Sequence, residues 1–508
     1  MVATPHYLAS AAGLETLAKG GNAIDAIISA NLTLGVVAPY YCGYGGDLLA
    51  MVWDGAAHGY RSAGRSPAAA SPEFVRADGH PEMPVFGPHA VTVPGAVRGW
   101  FDLLDRFGTK SFGELAARAI SIAEEGFVLT RPGAFRVRGS IGMIEAMYPR
   151  GAKDLATTYA GADDGVRLQL PALARAIRTL AAEGPDAYYR GPIGEGIVAT
   201  LREHGSAMTE ADLADHEAEW VDPIATGFAG RTVLELPPPT QGITALEMLA
   251  IADGLDATRR GGVERDHAFI ETAKLALADR DRHVTDPAHM KISPTELIDA
   301  EHVARRRALI GDRARPMEPR RTPDGGTAYL CAADADGLCV SLIQSNFTAI
   351  GAGVHVPEWG INLHNRGSSF SLDSDHVNVL AGGKLPMHTL IPALVLHDDD
   401  VEYVFGTMGG HAQAQVHLQV LTRLLVDGDD PQSAIDAPRW SVDPANATLA
   451  YESRFAASWV DDLRDRGHDL RQLRAFDDGV GHAHAIERTG HGLRAGCDPR
   501  AESAALGL

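Results

Sequence analysis

Cysteine is nearly absent. The 508 residues include four, Cys42, Cys331, Cys339 and Cys497, with no CxxC spacing, which excludes a disulfide framework or a cysteine-built zinc site as the organising device. Positive charge is also scarce: 45 Lys and Arg stand against 66 Asp and Glu, a formal net charge of −21. That surplus repels phosphate backbones and anionic lipid, so neither nucleic acid nor a membrane surface is an expected partner. Long apolar runs are missing as well, the longest, from Ala26 to Ala38, being broken by Ser29, Asn31, Thr33 and Gly35. The opening MVATPHYLASAAGLETLAKGG lacks the basic and apolar regions of a secretory leader. The chain as it stands therefore reads as cytoplasmic, although a secreted chain trimmed of its leader would read the same.

What is present suits a large buried core, with 45% apolar residues and ordinary glycine and proline content. The first half reads mostly as helix. Two helical runs hinge at Gly20-Gly21, the second opened by Asn22 and closed by Pro39, and GYGGDLLAMVWDG then reads as a strand ending in an Asp-Gly turn. Ser111 and Glu114 form a capping-box pattern, and the run from Asp266 to His283 repeats apolar residues at helical spacing. From about Arg305 to Pro323 arginine and proline dominate, which predicts an exposed segment. Beyond it the pattern turns to strands, at Thr327 to Ala333, Leu338 to Ser345, Leu390 to His397 and Glu402 to Phe405, followed by a helix from about Ala412 to Val426.

One hairpin can be registered from its turn alone. In PDGGTAYLCAADADGLCVSLIQSN, Gly337 supplies the left-handed residue of a three-residue loop, so Asp334 pairs with Leu338 and Thr327 falls opposite Ser345. Opposed residues of an antiparallel pair share a face, which brings two hydroxyls together at the open end. The residues alone leave two readings: a Thr/Ser cross-strand pair on a solvated face, or a reactive pair.

The blocks GGNAIDA, GYGGDLL, TVPGAVRGW, KLALADRDRHVTDP, GTAYLCAADADG, GKLPMHTLIPALV, GTMGGHAQ and DPR follow one another along nearly the whole chain. This succession resembles the gamma-glutamyltranspeptidase family of N-terminal-nucleophile hydrolases. The resemblance implies an α+β fold, a four-layer αββα sandwich of two stacked antiparallel sheets. It also implies autocleavage between Gly326 and Thr327, giving a large subunit, 1–326, and a small subunit, 327–508, that together form one structural unit. Thr327 would then be the nucleophile, its freed α-amine acting as base. Gly325-Gly326 would permit the unusual backbone angles and the close approach that the acyl shift requires. Ser345 would orient the nucleophile, and Gly409 and Gly410 would supply an oxyanion hole. No metal or organic cofactor is implied, the partner is a small-molecule amide, and a homo-oligomer is left open.

The pocket departs from the family pattern. Where glutamyl transferases place a carboxylate-gripping arginine, SAGRSPAA has Ala63, with Arg65 nearest. The Asn-Asn-x-Met-Asp-Asp block reads HNRGSSF, so Asn365 is kept, Arg366 is added, and Ser369 replaces the aspartate that binds an α-ammonium. The usual Ser-Ser pair is His388-Thr389. Serine cannot give an ammonium the charge-assisted bond of a carboxylate, whereas an added arginine suits a carboxylate, or else serves a structural ion pair. The expected substrates are γ-glutamyl amides such as glutathione, hydrolysed mainly with water as acceptor. The alternatives are another carboxylate-bearing amide, of oxamate or glutaryl (cephalosporin-acylase) type, or a silent scaffold that is never cut.

Two further patterns carry less. His482 and His484 share one face of a strand without a third ligand nearby, so they read as core or surface histidines. HDDDVEY lacks the spacing of a calcium loop and reads as a solvated hairpin turn.

Overall fold

The computed structural model describes residues 1–317 and 325–508. Its centre is two antiparallel sheets. The seven-stranded sheet runs in the order Ala504–Leu506, Val2–Thr4, Gly326–Ala333, Cys339–Phe347, Asp47–Trp53, Ala57–Ser62 and Glu219–Val221. The six-stranded sheet runs Gly492–Cys497, His482–Thr489, Asp400–Met408, Ala393–His397, Arg231–Glu235 and Ile224–Phe228. Both mix strands from before and after Thr327.

Strand alternation explains the layering. Along Gly326–Ala333, residues Ala328, Leu330 and Ala332 enter a core beneath helices that include Ala23–Val37 and Phe112–Glu125. Tyr329, Cys331 and Ala333 point the other way, into a core shared with Leu234, Leu394, Val404 and Ile486 of the second sheet. The outer face of that sheet is covered by helices Gly242–Asp253, Gly262–His283 and Gln413–Thr422. The result is the αββα sandwich, and it explains the apolar run of Ala328 to Ala333: both faces of the strand are buried.

Local signals hold where the chemistry is local. Asn22 and Asp25 form a capping box at the start of Ala23–Val37, and Ser111 and Glu114 form another. HDDDVEY makes a two-residue turn in which Asp398 and Asp399 have φ of 49° and 62°, joining His397 to Asp400. His482 and His484 are fully buried, and burial pushes their rings down to about 3 and about 4.

The arginine-rich segment is exposed as expected over its described part, residues 305–317, none of which is buried. Helix Ala300–Arg307, capped by Asp299, occupies its start; Arg306 pairs with Asp279, and Arg307 donates to the carbonyls of Ala250 and Ile251. Arg306 and Arg307 are spent on tertiary partners, a pairing that periodicity cannot report, while Arg305 pairs with Glu301 within the helix. The rest of that expectation, at residues 318–323, lies outside the described residues. No described helix is long and apolar enough to cross a membrane.

Candidate active site

The hairpin turn behaves as its chemistry requires. Gly337 has φ +92°, Asp334 Oδ1 accepts from the N–H groups of Asp336 and Leu338 at 3.0 and 3.1 Å, and the Asp334 N–H donates to Leu338 O. Pairing then runs from Ala333↔Cys339 to Ala328↔Gln344 and shifts before Phe347↔Gly326. At that shift Phe347 takes φ 69°, a strained value for a residue with a side chain. Thr327 and Ser345 meet there, Oγ1 to Oγ 3.0 Å, both essentially inaccessible. The pair is buried between the sheets, not solvated.

The hydrogen-bond directions can be assigned by counting protons. The Ser345 hydroxyl donates to the carbonyl oxygen of Gly326 at 2.8 Å, and the Phe347 N–H donates to Ser345 Oγ at 2.8 Å. A serine has one hydroxyl proton, so Thr327 is left as donor to Ser345. The arrangement places the Thr327 hydroxyl beside the peptide carbonyl that precedes it and polarises that carbonyl from the same partner.

Gly325 and Gly326 serve one of the two purposes expected of them. Neither has a positive φ; instead, a Cβ at Gly325 would lie 2.8 Å from the Phe347 ring and one at Gly326 2.9 Å from the Tyr40 carbonyl oxygen. They are needed for close approach.

Gly409 and Gly410 end strand Asp400–Met408 with φ of 137° and 52°. The Gly410 carbonyl accepts from Gln241 Nε2 at 2.9 Å, and Gln241 Oε1 accepts from Arg280 at 2.9 Å, which fixes the peptide orientation from a remote helix. Gln241 Nε2 also donates to the Thr389 carbonyl at 3.0 Å. Gln241 and Arg280 had no local sequence signal to mark them.

Asp47 lies in the strand neighbouring Ser345, in direct register with it. Its Oδ2 is 3.1 Å from His388 Nε2 and 3.3 Å from His364 Nδ1. Burial alone would raise this carboxyl, but the two imidazoles and Arg366 hold it below the usual carboxylate range. Burial, reinforced by Arg366, pushes His388 down to about 3, and burial lowers His364 too.

Arg366 is the most unusual side chain in the site. It is 1% exposed, its guanidinium sits 3.8 Å over the Phe347 ring, and Nη1 donates to Thr389 Oγ1 at 3.2 Å, while Nε and Nη2 make no hydrogen bond. Burial pulls it down to about 9, opposed by Asp47, so it stays charged at neutral pH. Two residues on, Ser368 and Ser369 line a chamber of about 580 Å³ that also touches Arg280, Met387 and His411.

The remaining candidates are spent on structure. Asn365 accepts from the Thr348 N–H and donates to the Val85 carbonyl, both at 2.9 Å. Arg65 bonds Asp286 at 3.2 Å, Glu219 at 3.4 Å and the Gly383 carbonyl at 3.1 Å, and lines a separate cleft with Ala63 and His216. Two carboxylates already lie on its guanidinium, the arrangement of the structural ion-pair alternative weighed for it.

Known proteins extend this picture. The gamma-glutamyltranspeptidase family model matches residues 9–508. A glutathione hydrolase-like proenzyme of Bacillus subtilis is 35% identical over 100% of this chain and 98% of its own length. An oxamate amidohydrolase proenzyme of Klebsiella pneumoniae is also 35% identical, over 100% of this chain and 98% of its own. Among solved structures, a cephalosporin acylase from Bacillus halodurans superposes with a TM-score of 0.94 at 36% identity, covering 99% of this chain and 94% of that one. Sandwich, hydroxyl pair and full-length matches agree: the chain is an enzyme and belongs to the gamma-glutamyltranspeptidase family of N-terminal-nucleophile hydrolases.

Proposed function

We propose that the chain cuts itself between Gly326 and Thr327 and then hydrolyses amides whose acyl part carries a carboxylate. The supporting observation is the relay at the hairpin end: Thr327 hydroxyl to Ser345 at 3.0 Å, Ser345 hydroxyl to the Gly326 carbonyl at 2.8 Å. As Thr327 Oγ1 bonds to the Gly326 carbon, its proton passes to Ser345 and the Ser345 proton to the developing oxyanion. The C–N bond then breaks, the nitrogen takes a proton, and water hydrolyses the resulting ester, freeing the Gly326 carboxylate and the Thr327 amine and hydroxyl.

The same parts serve turnover. The neutral Thr327 amine, with an ordinary pKa of about 7.7 to 8.0, takes the hydroxyl proton during attack on the substrate amide, and later activates water against the acyl-enzyme. Gly409 and Gly410 stabilise the oxyanion through their N–H groups. Arg366 receives the substrate carboxylate on its unpartnered Nε and Nη2, with Thr389 fixing the guanidinium plane.

γ-Glutamyl amides fit this reading, and so do amides without an α-ammonium, because Ser369 offers no carboxylate to bind one. The second reading, an oxamate-type or glutaryl-type amidase, is favoured by the buried cation at Arg366. The test is denaturing electrophoresis of fresh wild type and Thr327→Ala, followed by an amide screen on the matured enzyme. Wild type should give two bands and the variant one; an uncut wild type would favour the silent scaffold.

A further inference from the structure

Away from the hydroxyl pair, three helices converge on Glu247, Asp279 and His302, contributed by Gly242–Asp253, Gly262–His283 and Ala300–Arg307. Glu247 is 0% exposed, Asp279 1%, and His302 stands at the rim at 9%. One ring nitrogen faces both acids: His302 Nε2 is 2.9 Å from Glu247 Oε1 and 3.4 Å from Asp279 Oδ2.

The charges do not balance. Among the described residues, Arg306, bonded to Asp279 Oδ1, is the single Lys or Arg paired with the two carboxylates. Glu247 Oε2 and Asp279 Oδ2 are buried and accept no hydrogen bond. Two carboxylates in a dry place need a cation or a proton between them. An ion about 2.1 Å from each donor sets neighbouring donors about 3.0 Å apart in octahedral and about 3.4 Å apart in tetrahedral coordination, close to the two separations found. An imidazole beside two carboxylates suits a transition-metal ion better than magnesium or calcium.

We propose that Glu247, Asp279 and His302 form a binding site for one divalent transition-metal ion of the zinc type, His302 Nε2 exchanging its proton for the metal. The site is independent of the catalytic reading above. Its effect is structural: the ion ties the last described helix before the proposed cut to the helix that carries Arg280 and the helix that follows Gln241.

The test uses full-length protein stripped with EDTA. Zn²⁺ is titrated by calorimetry, Co²⁺ by visible absorption, and melting is followed with and without Zn²⁺. Wild type should bind one buried ion per chain and melt higher with Zn²⁺. Glu247→Gln, nearly isosteric and so expected to fold, and His302→Ala should weaken that binding by at least about tenfold and lose the Zn²⁺-dependent rise. His89→Ala should keep both, since Asp78, His80 and His89 form a separate, more accessible group with metal-ligand spacing. No ion bound by wild type, or equal affinity in both variants of the buried cluster, would overturn the proposal. So would a Glu247→Gln protein that melts higher than wild type while neither responds to Zn²⁺, because a shared proton would then bridge the carboxylates.

Discussion

The hydroxyl pair and the buried Arg366 both touch Phe347, one at its backbone N–H and the other over its ring, yet are built on opposite principles. At the hairpin end, the Ser345 hydroxyl has its donor and acceptor roles filled: it accepts from Phe347 and Thr327 and donates to Gly326. Arg366, over the ring, keeps two nitrogens without hydrogen bonds, and elsewhere His388 Nδ1 and both polar ends of Gln413 are likewise buried without partners. A saturated network holds one geometry, as a bond-forming step needs. An unsaturated one costs stability and is suited to a polar ligand. On the function proposed above, the difference separates a part that would perform chemistry from a part that would select substrates, and it can be tested part by part.

The largest expected effect is at Thr327. Thr327→Ala should remain a single 508-residue chain without amidase activity, because no hydroxyl is left to start the shift. Thr327→Ser should still cut, more slowly, since serine lacks the methyl group that restrains χ1. Efficient cutting of the alanine variant, followed by sodium dodecyl sulfate electrophoresis over time, would remove Thr327 from the mechanism.

Next comes Arg366. If it holds the substrate carboxylate, Arg366→Lys should lower kcat/KM for a carboxylate-bearing amide by roughly 10- to 100-fold, equivalent to about 1.5 to 3 kcal/mol for a charge-assisted bond. The same variant should leave a neutral amide of similar size nearly unaffected. Equal losses on both substrates would make Arg366 structural. Ser345→Ala should slow self-cleavage and turnover together, each by about ten- to a hundred-fold, because one hydroxyl serves both steps. Normal maturation in that variant would break the proton relay.

Smaller effects bear on selection. Glutaryl and γ-glutamyl anilides should differ by roughly tenfold or less in kcat/KM, since Ser369 supplies no ammonium-binding carboxylate. Strong preference for the γ-glutamyl compound would show that another residue has taken over that task. Arg65→Ala should change kcat/KM less than about fivefold, its half-exposed ion pairs being worth at most about 1 kcal/mol.

These two regions were not equally legible in the sequence. The hydroxyl pair follows from Asp334 to Gly337, because hairpin register is set within one turn. The capping boxes at Asn22 and Ser111 are local in the same way. The pocket draws on residues hundreds apart: Asp47 meets His364 and His388, and Gln241 joins Arg280 to Gly410. No periodicity encodes such meetings. Arg65 shows the cost, since its place beside a motif said nothing of Glu219 and Asp286 folding onto it. Close approach at Gly325 and Gly326 was legible, but not the neighbours that impose it: the Phe347 ring and the Tyr40 carbonyl come from elsewhere in the chain.

The most direct test is mass spectrometry of matured enzyme quenched during turnover of a carboxylate-bearing amide. The account predicts a small fragment that begins at Thr327, ends at Leu508 and carries the acyl group on the Thr327 side chain. A fragment beginning at any other residue, or an acyl group fixed elsewhere, would contradict it.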